Sequence, residues 1–251
     1  MPGLIGIVGD RSPGETERVL GYMAQALEHE SWYQTHLYTD VGIGLGRVSL
    51  GILNPKPQPI WNEDKSLCIL MEGEVYDYGE ERRRLIEQGH RFQVDNDPEF
   101  VLHLYEEYGE DFALKLNGAF VTAIWNPKAR ELVIANDRLG LRPLYYAQRG
   151  SEVLFGAGAR AVAAVPSFKR KINSVALMEY LSFEHLLGDH TLFEGIELLP
   201  PASLMIYRRG QLTLRLYWEL QFPDVYEDRD EDDYIEEWTA LIKRAVTRQI
   251  K

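Results

Sequence analysis

Cysteine is almost missing from this chain. Of 251 residues only Cys68 carries a thiol, which excludes an internal disulfide framework and makes a reducing, cytoplasmic setting the default expectation. Cys68 sits in the apolar run Leu67-Cys68-Ile69-Leu70-Met71, where a thiol behaves as a small buried hydrophobe. Basic charge is also short: 27 Lys and Arg against 39 Asp and Glu leave a net charge of −12. A chain so acidic lacks the cationic footprint that nucleic acid or an anionic membrane surface requires. No run approaches the ~20 consecutive apolar residues of a membrane span. The start has no basic region, and Leu4–Val8 is too short for a signal-peptide core. Six histidines stand without ligand spacing, so no metal site is expected. A phosphate-cradling loop is missing too. Gly42-Ile43-Gly44-Leu45-Gly46 alternates like a strand instead of turning like a dinucleotide loop.

What is present is an ordinary globular composition, 45% apolar, enough for one large domain with a substantial core. Gly3–Gly9 reads as a buried strand whose glycines admit close packing. Residues 14–30 read as a helix with Val19, Met23 and Leu27 on one face. Tyr33–Tyr38, Gly42–Leu50 and Leu67–Met71 read as strands, and the proline-rich 54–59 segment as a loop. Asp77–Gln88 reads as a helix closed by Gly89. A second helix starts with Asp97 as N-cap and Pro98 in the first position. Three hairpins follow, turning at Asn126-Pro127-Lys128, Arg149-Gly150 and Arg209-Gly210. Antiparallel strands interspersed with helices predict an α+β fold with sheets packed between helices. After Trp218 comes the acidic run Glu227–Asp233, read as a solvated linker leading into a helix N-terminus. That helix carries Tyr234, Trp238, Leu241, Ile242, Ala245 and Val246 on one side, a face that favours association, a homodimer being one form of it.

A set of segments resembles one family in order along the chain. Met1-Pro2-Gly3-Leu4-Ile5-Gly6-Ile7 is similar to the Met-Cys-Gly-Ile-x-Gly-Ile start of class II glutamine amidotransferases. Glu72-Gly73-Glu74-Val75-Tyr76-Asp77-Tyr78 is similar to their Asn-Gly-Glu-Ile-Tyr-Asn-Tyr, and Asp95–Glu99 to their Ser-Asp-Thr-Glu helix start. Leu116–Trp125, Asp137–Tyr146 and Leu192–Pro201 continue the match. The resemblance is to the asparagine synthetase branch and covers residues 1–218. It implies a four-layer αββα N-terminal-nucleophile (Ntn) hydrolase sandwich with two antiparallel sheets. Residues 219–251 then become an acidic linker and the first helix of an ATP-dependent synthetase-like domain, interrupted before its pyrophosphate loop.

The same resemblance implies the chemistry. In the family the initiator methionine is removed, the cysteine becomes the first residue, and its thiolate attacks the glutamine side-chain amide with the free amine as base. An asparagine side chain and a glycine N–H stabilise the oxyanion, and the ammonia released serves an ATP-dependent amidation. Carried over, Arg47 matches the arginine for the glutamine carboxylate, Gly73 the backbone donor, and Glu74 and Asp97 the acids that receive the α-amine. Pro2 stands at the nucleophile position and Glu72 at the oxyanion asparagine. Two matched losses imply a degenerate glutaminase and leave no intact catalytic residue. This part of the chain is expected to need no cofactor; ATP and magnesium belong to the synthetase domain. The expected partners are a glutamine-like amino acid and a synthetase-type domain or chain. The alternative is an amino-acid-binding regulatory or scaffold module for a ligase domain, as in β-lactam-synthetase-like proteins.

Overall fold

A computed structural model describes residues 2–223 and 228–250. The opening strand β1 (Gly3–Val8) is buried throughout. Helix α1 (Pro13–Leu27) follows, its start fixed by the Glu15 carboxylate accepting the Ser12 N–H at 3.1 Å. Strands β2 (Gln34–Asp40) and β3 (Ile43–Ser49) make a hairpin. Beyond the proline-rich loop come β4 (Ile60–Trp61), β5 (Cys68–Val75), α2 (Gly79–Glu87) and α3 (Asp97–Tyr108). A 3-10 turn over Gly109–Lys115 leads to β6 (Gly118–Asn126), β7 (Glu131–Asn136), β8 (Tyr145–Arg149) and β9 (Glu152–Gly156). The chain continues through α4 (Ala159–Ala163), α5 (Ser174–Phe183), β10 (Glu197–Leu198), β11 (Ser203–Arg208), β12 (Gln211–Leu216) and α6 (Glu231–Gln249).

The strands form two six-stranded antiparallel sheets, ordered β10-β8-β9-β1-β3-β2 and β12-β11-β7-β6-β5-β4. Period-two alternation divides each strand between two layers. On β1, Leu4 and Val8 join a core shared by the two sheets, whereas Ile5 and Ile7 pack with α1 and α4. On β5, Cys68 and Leu70 enter the shared core, and Ile69 and Met71 join residues of α2 and α3. Both strands are buried on both faces, which is why they read as continuous apolar runs. The layers are therefore helix, sheet, sheet, helix. Gly44 shows how closely the first helix sits: a Cβ there would lie 2.5 Å from Thr16 Cγ2 on α1. Gly46, two residues on, instead makes room for Leu37 of β2 and Ile5 of β1.

All three expected hairpins form. Two helix starts differ from the sequence reading. Asn96 is the N-cap of α3, its side chain accepting the Glu99 N–H at 3.0 Å. Asp97 and Pro98 are thus the first two helical residues, and the Asp97 carboxylate is free for other work. α2 begins at Gly79 rather than Asp77, because Asp77 is left-handed at φ +54° and cannot sit in the helix. The Cys68 thiol is buried between the sheets, and that burial, aided by Asp40, pushes its pKa up to about 12. The acidic run was read from Glu227, which lies outside the described residues; its remainder leads into α6, none of whose side chains is buried.

Candidate functional site

Alternation places the central pair. Arg47 shares its parity on β3 with the inward-facing Ile43 and Leu45, and Glu72 shares its own on β5 with Cys68 and Leu70. One charge from each sheet thus points into the layer between them. They meet there: Arg47 Nε donates to Glu72 Oε2 at 2.8 Å, with the two side chains only 1% and 8% exposed. Arg47 Nη1 donates to the Asn54 carbonyl at 3.0 Å and Nη2 to the Leu53 carbonyl at 2.7 Å. Every guanidinium nitrogen therefore has a partner inside the protein.

Asn54 is the site residue that sequence reading passed over. It lies in the proline-rich loop with φ +46°, a conformation asparagine tolerates. Its side-chain amide donates to Gly73 O at 3.0 Å and to Asp97 Oδ2 at 3.3 Å. The turn-type dipeptide Asn54-Pro55 was the available signal. Gly73 is fixed by sterics: φ is +106°, and a Cβ would fall 2.0 Å from the Ala119 carbonyl oxygen of β6.

Asp97 also accepts the Val75 N–H at 3.2 Å and the Tyr78 hydroxyl at 2.8 Å. Glu74 accepts the Tyr76 hydroxyl at 3.1 Å. Burial, reinforced by these carboxylates, raises both tyrosine pKa values, so the hydroxyls stay protonated as donors. Glu74 and Asp97 share a hollow of about 320 Å³, lined also by Tyr76, Tyr78 and, from α6, Arg248. Arg248 in turn pairs with Asp77. Pro2 directly precedes Gly3, whose β3 partner Val48 adjoins Arg47, so the expected nucleophile position lies at the same end of the first sheet. Structure thus brings Arg47 to Glu72 directly, and Gly73 and Asp97 to one another through Asn54. Arg47 and Glu72 do not line the hollow that holds Glu74 and Asp97.

The Asp137–Arg142 motif holds the frame. Asp137 is buried and gathers four backbone N–H groups: Leu139 and Leu141 on Oδ1 at 3.0 and 3.1 Å, Phe120 and Arg142 on Oδ2 at 3.3 and 3.4 Å. Its neighbour Asn136 donates to Pro200 O at 2.8 Å and accepts the Ser203 N–H at 2.8 Å, joining this motif to the 199–201 segment.

Two antiparallel sheets enclosed by helices, with β1 central in one of them, define an Ntn-hydrolase sandwich. Glutamine phosphoribosylpyrophosphate amidotransferase from B. subtilis, solved with ADP and GMP, superposes with a TM-score of 0.60 at 17% identity, over 86% of this chain and 49% of that one. The chain belongs to the glutamine amidotransferase domain family, whose model matches residues 1–218. Asparagine synthetase [glutamine-hydrolyzing] 3 of Bacillus subtilis (strain 168) is 33% identical over 78% of this chain and 32% of its own length. Asparagine synthetase [glutamine-hydrolyzing] 1 of the same organism is 31% identical over 92% of this chain and 37% of its own. The chain spans about a third of the length of these curated relatives.

Proposed function

We propose that this is the glutaminase-type domain of an asparagine-synthetase-like protein, one in which glutamine hydrolysis for ammonia supply has been lost. The observation that carries this reading is the buried Arg47–Glu72 pair. An arginine that is to hold a substrate carboxylate needs a free edge; this one is closed by an internal carboxylate and two carbonyls. A substrate carboxylate could take the place of Glu72 only by leaving that glutamate buried without its counter-charge, a penalty of about 3–5 kcal/mol. That weakens binding by roughly two to three and a half orders of magnitude. Glu72 is also acceptor-only when ionised and would repel a developing oxyanion where the family places a donor worth about 2.7–4 kcal/mol. Pro2 supplies no side-chain nucleophile.

The test is glutamate release from glutamine by the purified chain. None is expected from the wild-type protein or from Pro2→Cys alone, whereas the double variant Pro2→Cys/Glu72→Asn regains turnover. Clear wild-type turnover refutes the proposal. A second reading, a binding or scaffold module, draws on the Glu74–Asp97 hollow, which offers two acids to an ammonium group. Calorimetry with glutamine, asparagine and aspartate checks it, and no heat with any of the three rejects amino-acid binding. In either reading the apolar side of α6 is the natural contact for a synthetase-type domain, to which ATP and magnesium belong, in a cytoplasmic protein.

A further inference from the structure

Read linearly, the histidines are scattered; the fold gathers two of them away from the Arg47 site. Glu63 lies in the turn between β4 and β5, His90 in the loop after α2, and His103 in the middle of α3. One ligand atom from each lies within 4.8 Å of the other two. His103 is 1% exposed. Its Nδ1 meets Glu106 Oε2 at 2.7 Å, one helical turn along, and its Nε2 is buried without a hydrogen-bond partner. The nitrogens of His90 stand 3.6 Å from Glu106 and Glu107, beyond hydrogen-bond reach. Two imidazoles therefore present uncommitted nitrogens beside a carboxylate.

The surroundings are built to hold this arrangement. Glu106 is itself fixed, its Oε1 accepting the Asn62 amide at 2.7 Å. Asn62 Oδ1 accepts the Leu67 N–H at 3.0 Å, pinning the turn that carries Glu63. Glu63 Oε1 accepts the Arg91 N–H at 2.8 Å, and the His90 N–H is tied to Leu85 O at 3.0 Å. As a simple ion pair with Glu106, His103 would leave a buried Nε2–H donor unsatisfied, at about 1–3 kcal/mol. With a metal ion on Nε2 that penalty vanishes: neutral His103 donates Nδ1–H to Glu106 and gives its other lone pair to the ion. This is the carboxylate–histidine–metal relay in which an outer carboxylate fixes the ligand's tautomer.

We propose that Glu63, His90 and His103 form a binding site for one divalent transition-metal ion, zinc by preference, with water as the fourth ligand and Glu106 as the positioning residue behind His103. Two nitrogens and one carboxylate suit zinc. Magnesium and calcium call for oxygen donors throughout, and the one thiol of the chain is committed to the inter-sheet core. Bonds of about 2.0 Å in tetrahedral geometry place ligand atoms about 3.3 Å apart, so the three groups close by at most roughly 1.5 Å on loading. Glu63 and His90 lie on exposed or partly exposed loops, so rotation of their side chains supplies that movement while the backbone stays held.

The experiment uses the full chain, freed of any affinity tag and stripped with a chelator. Zinc chloride is titrated by calorimetry and against a chromophoric chelator, and cobalt chloride is followed by visible absorption. One zinc per chain, with the visible bands of four-coordinate cobalt, is the expected result. His90→Ala and Glu63→Gln each weaken binding at least ~10-fold, while the circular dichroism and urea midpoint of the metal-free protein stay unchanged. Glu106→Gln weakens it ~10–100-fold with the stoichiometry kept. Because His103 is buried, its substitution tests folding as much as binding, so the two loop variants carry the test. Failure of the wild-type chain to take up stoichiometric zinc, or uptake that His90→Ala and Glu63→Gln leave untouched, overturns the proposal.

Discussion

Arg47 and Glu72 are best understood as one unit. Arg47→Met leaves a glutamate buried alone and is expected to destabilise the chain by about 3–5 kcal/mol, whereas Arg47→Met/Glu72→Leu falls within ~1 kcal/mol of wild type. Urea denaturation of the three proteins measures both differences. Gly73→Ala is expected to prevent folding or to lower the urea midpoint sharply, since its Cβ has a backbone oxygen at 2.0 Å. At this scale the sequence was half legible. Pro2 and Glu72 stand out against the family pattern, and Arg47, Gly73, Glu74 and Asp97 are all found at one end of the molecule. The ion pair itself could not be read, because its partners lie on different sheets and meet only when both strands turn the same parity inward. The His90–His103 approach was hidden for the same reason: spacing along a chain records neighbours on one element, not across three.

Elements were legible where pattern and punctuation agreed. The three hairpins follow from alternating apolar residues interrupted by turn residues, and α1 from its apolar stripe. α5 was missed because it has little stripe to read: only Ala176 among its residues is buried, while Val175, Met178, Leu181 and Phe183 are exposed. β4 and β10 are two residues each, too short to show alternation. The misplaced start of α3 came from three consecutive capping-type residues, Asp95-Asn96-Asp97, and side-chain geometry selects the middle one. Asn96→Ala is accordingly expected to lower stability by about 1 kcal/mol, read from the thermal midpoint. Downstream of α5, His190 Nδ1 lies 2.9 Å from Glu179 Oε1. That hydrogen bond, with the charge of Glu179, raises the His190 pKa above 6.5. A folded-state pKa above the unfolded value stabilises fully below pH 6.5, and the contribution disappears as pH rises through the raised pKa. An NMR titration is expected to place His190 above 6.5 in the wild type and to bring it back down in Glu179→Gln.

At the scale of the molecule, the alternation of strands and helices pointed only to an α+β fold with sheets between helices; the four-layer order came from the family resemblance, and residues 1–218 carry it. α6 buries none of its side chains and touches the body through Arg248 and Asp77, a partly exposed pair worth about 1 kcal/mol. Ending the chain at Trp218 is therefore expected to shift the unfolding free energy by no more than that, which denaturation of the two lengths compares directly.

The pairing of β1 has a further consequence, for the order of assembly. β1 spans Gly3–Val8, yet it lies between β3 and β9, and β9 ends at Gly156. β1 must wait until synthesis has passed Gly156 before its second edge is covered. β5, β6 and β7, by contrast, pair with their sequence neighbours, and those pairings are available by Asn136, although the outer edge of β7 waits for β11. Local pairing forms faster than distant pairing, so β5–β6–β7 and the β2–β3 and β8–β9 hairpins precede the β1–β9 ladder, and β1 spends the interval with an open, apolar edge prone to misassembly. Pulsed hydrogen exchange during refolding should find the amides of β5–β7 protected before those bonded across the β1–β9 ladder.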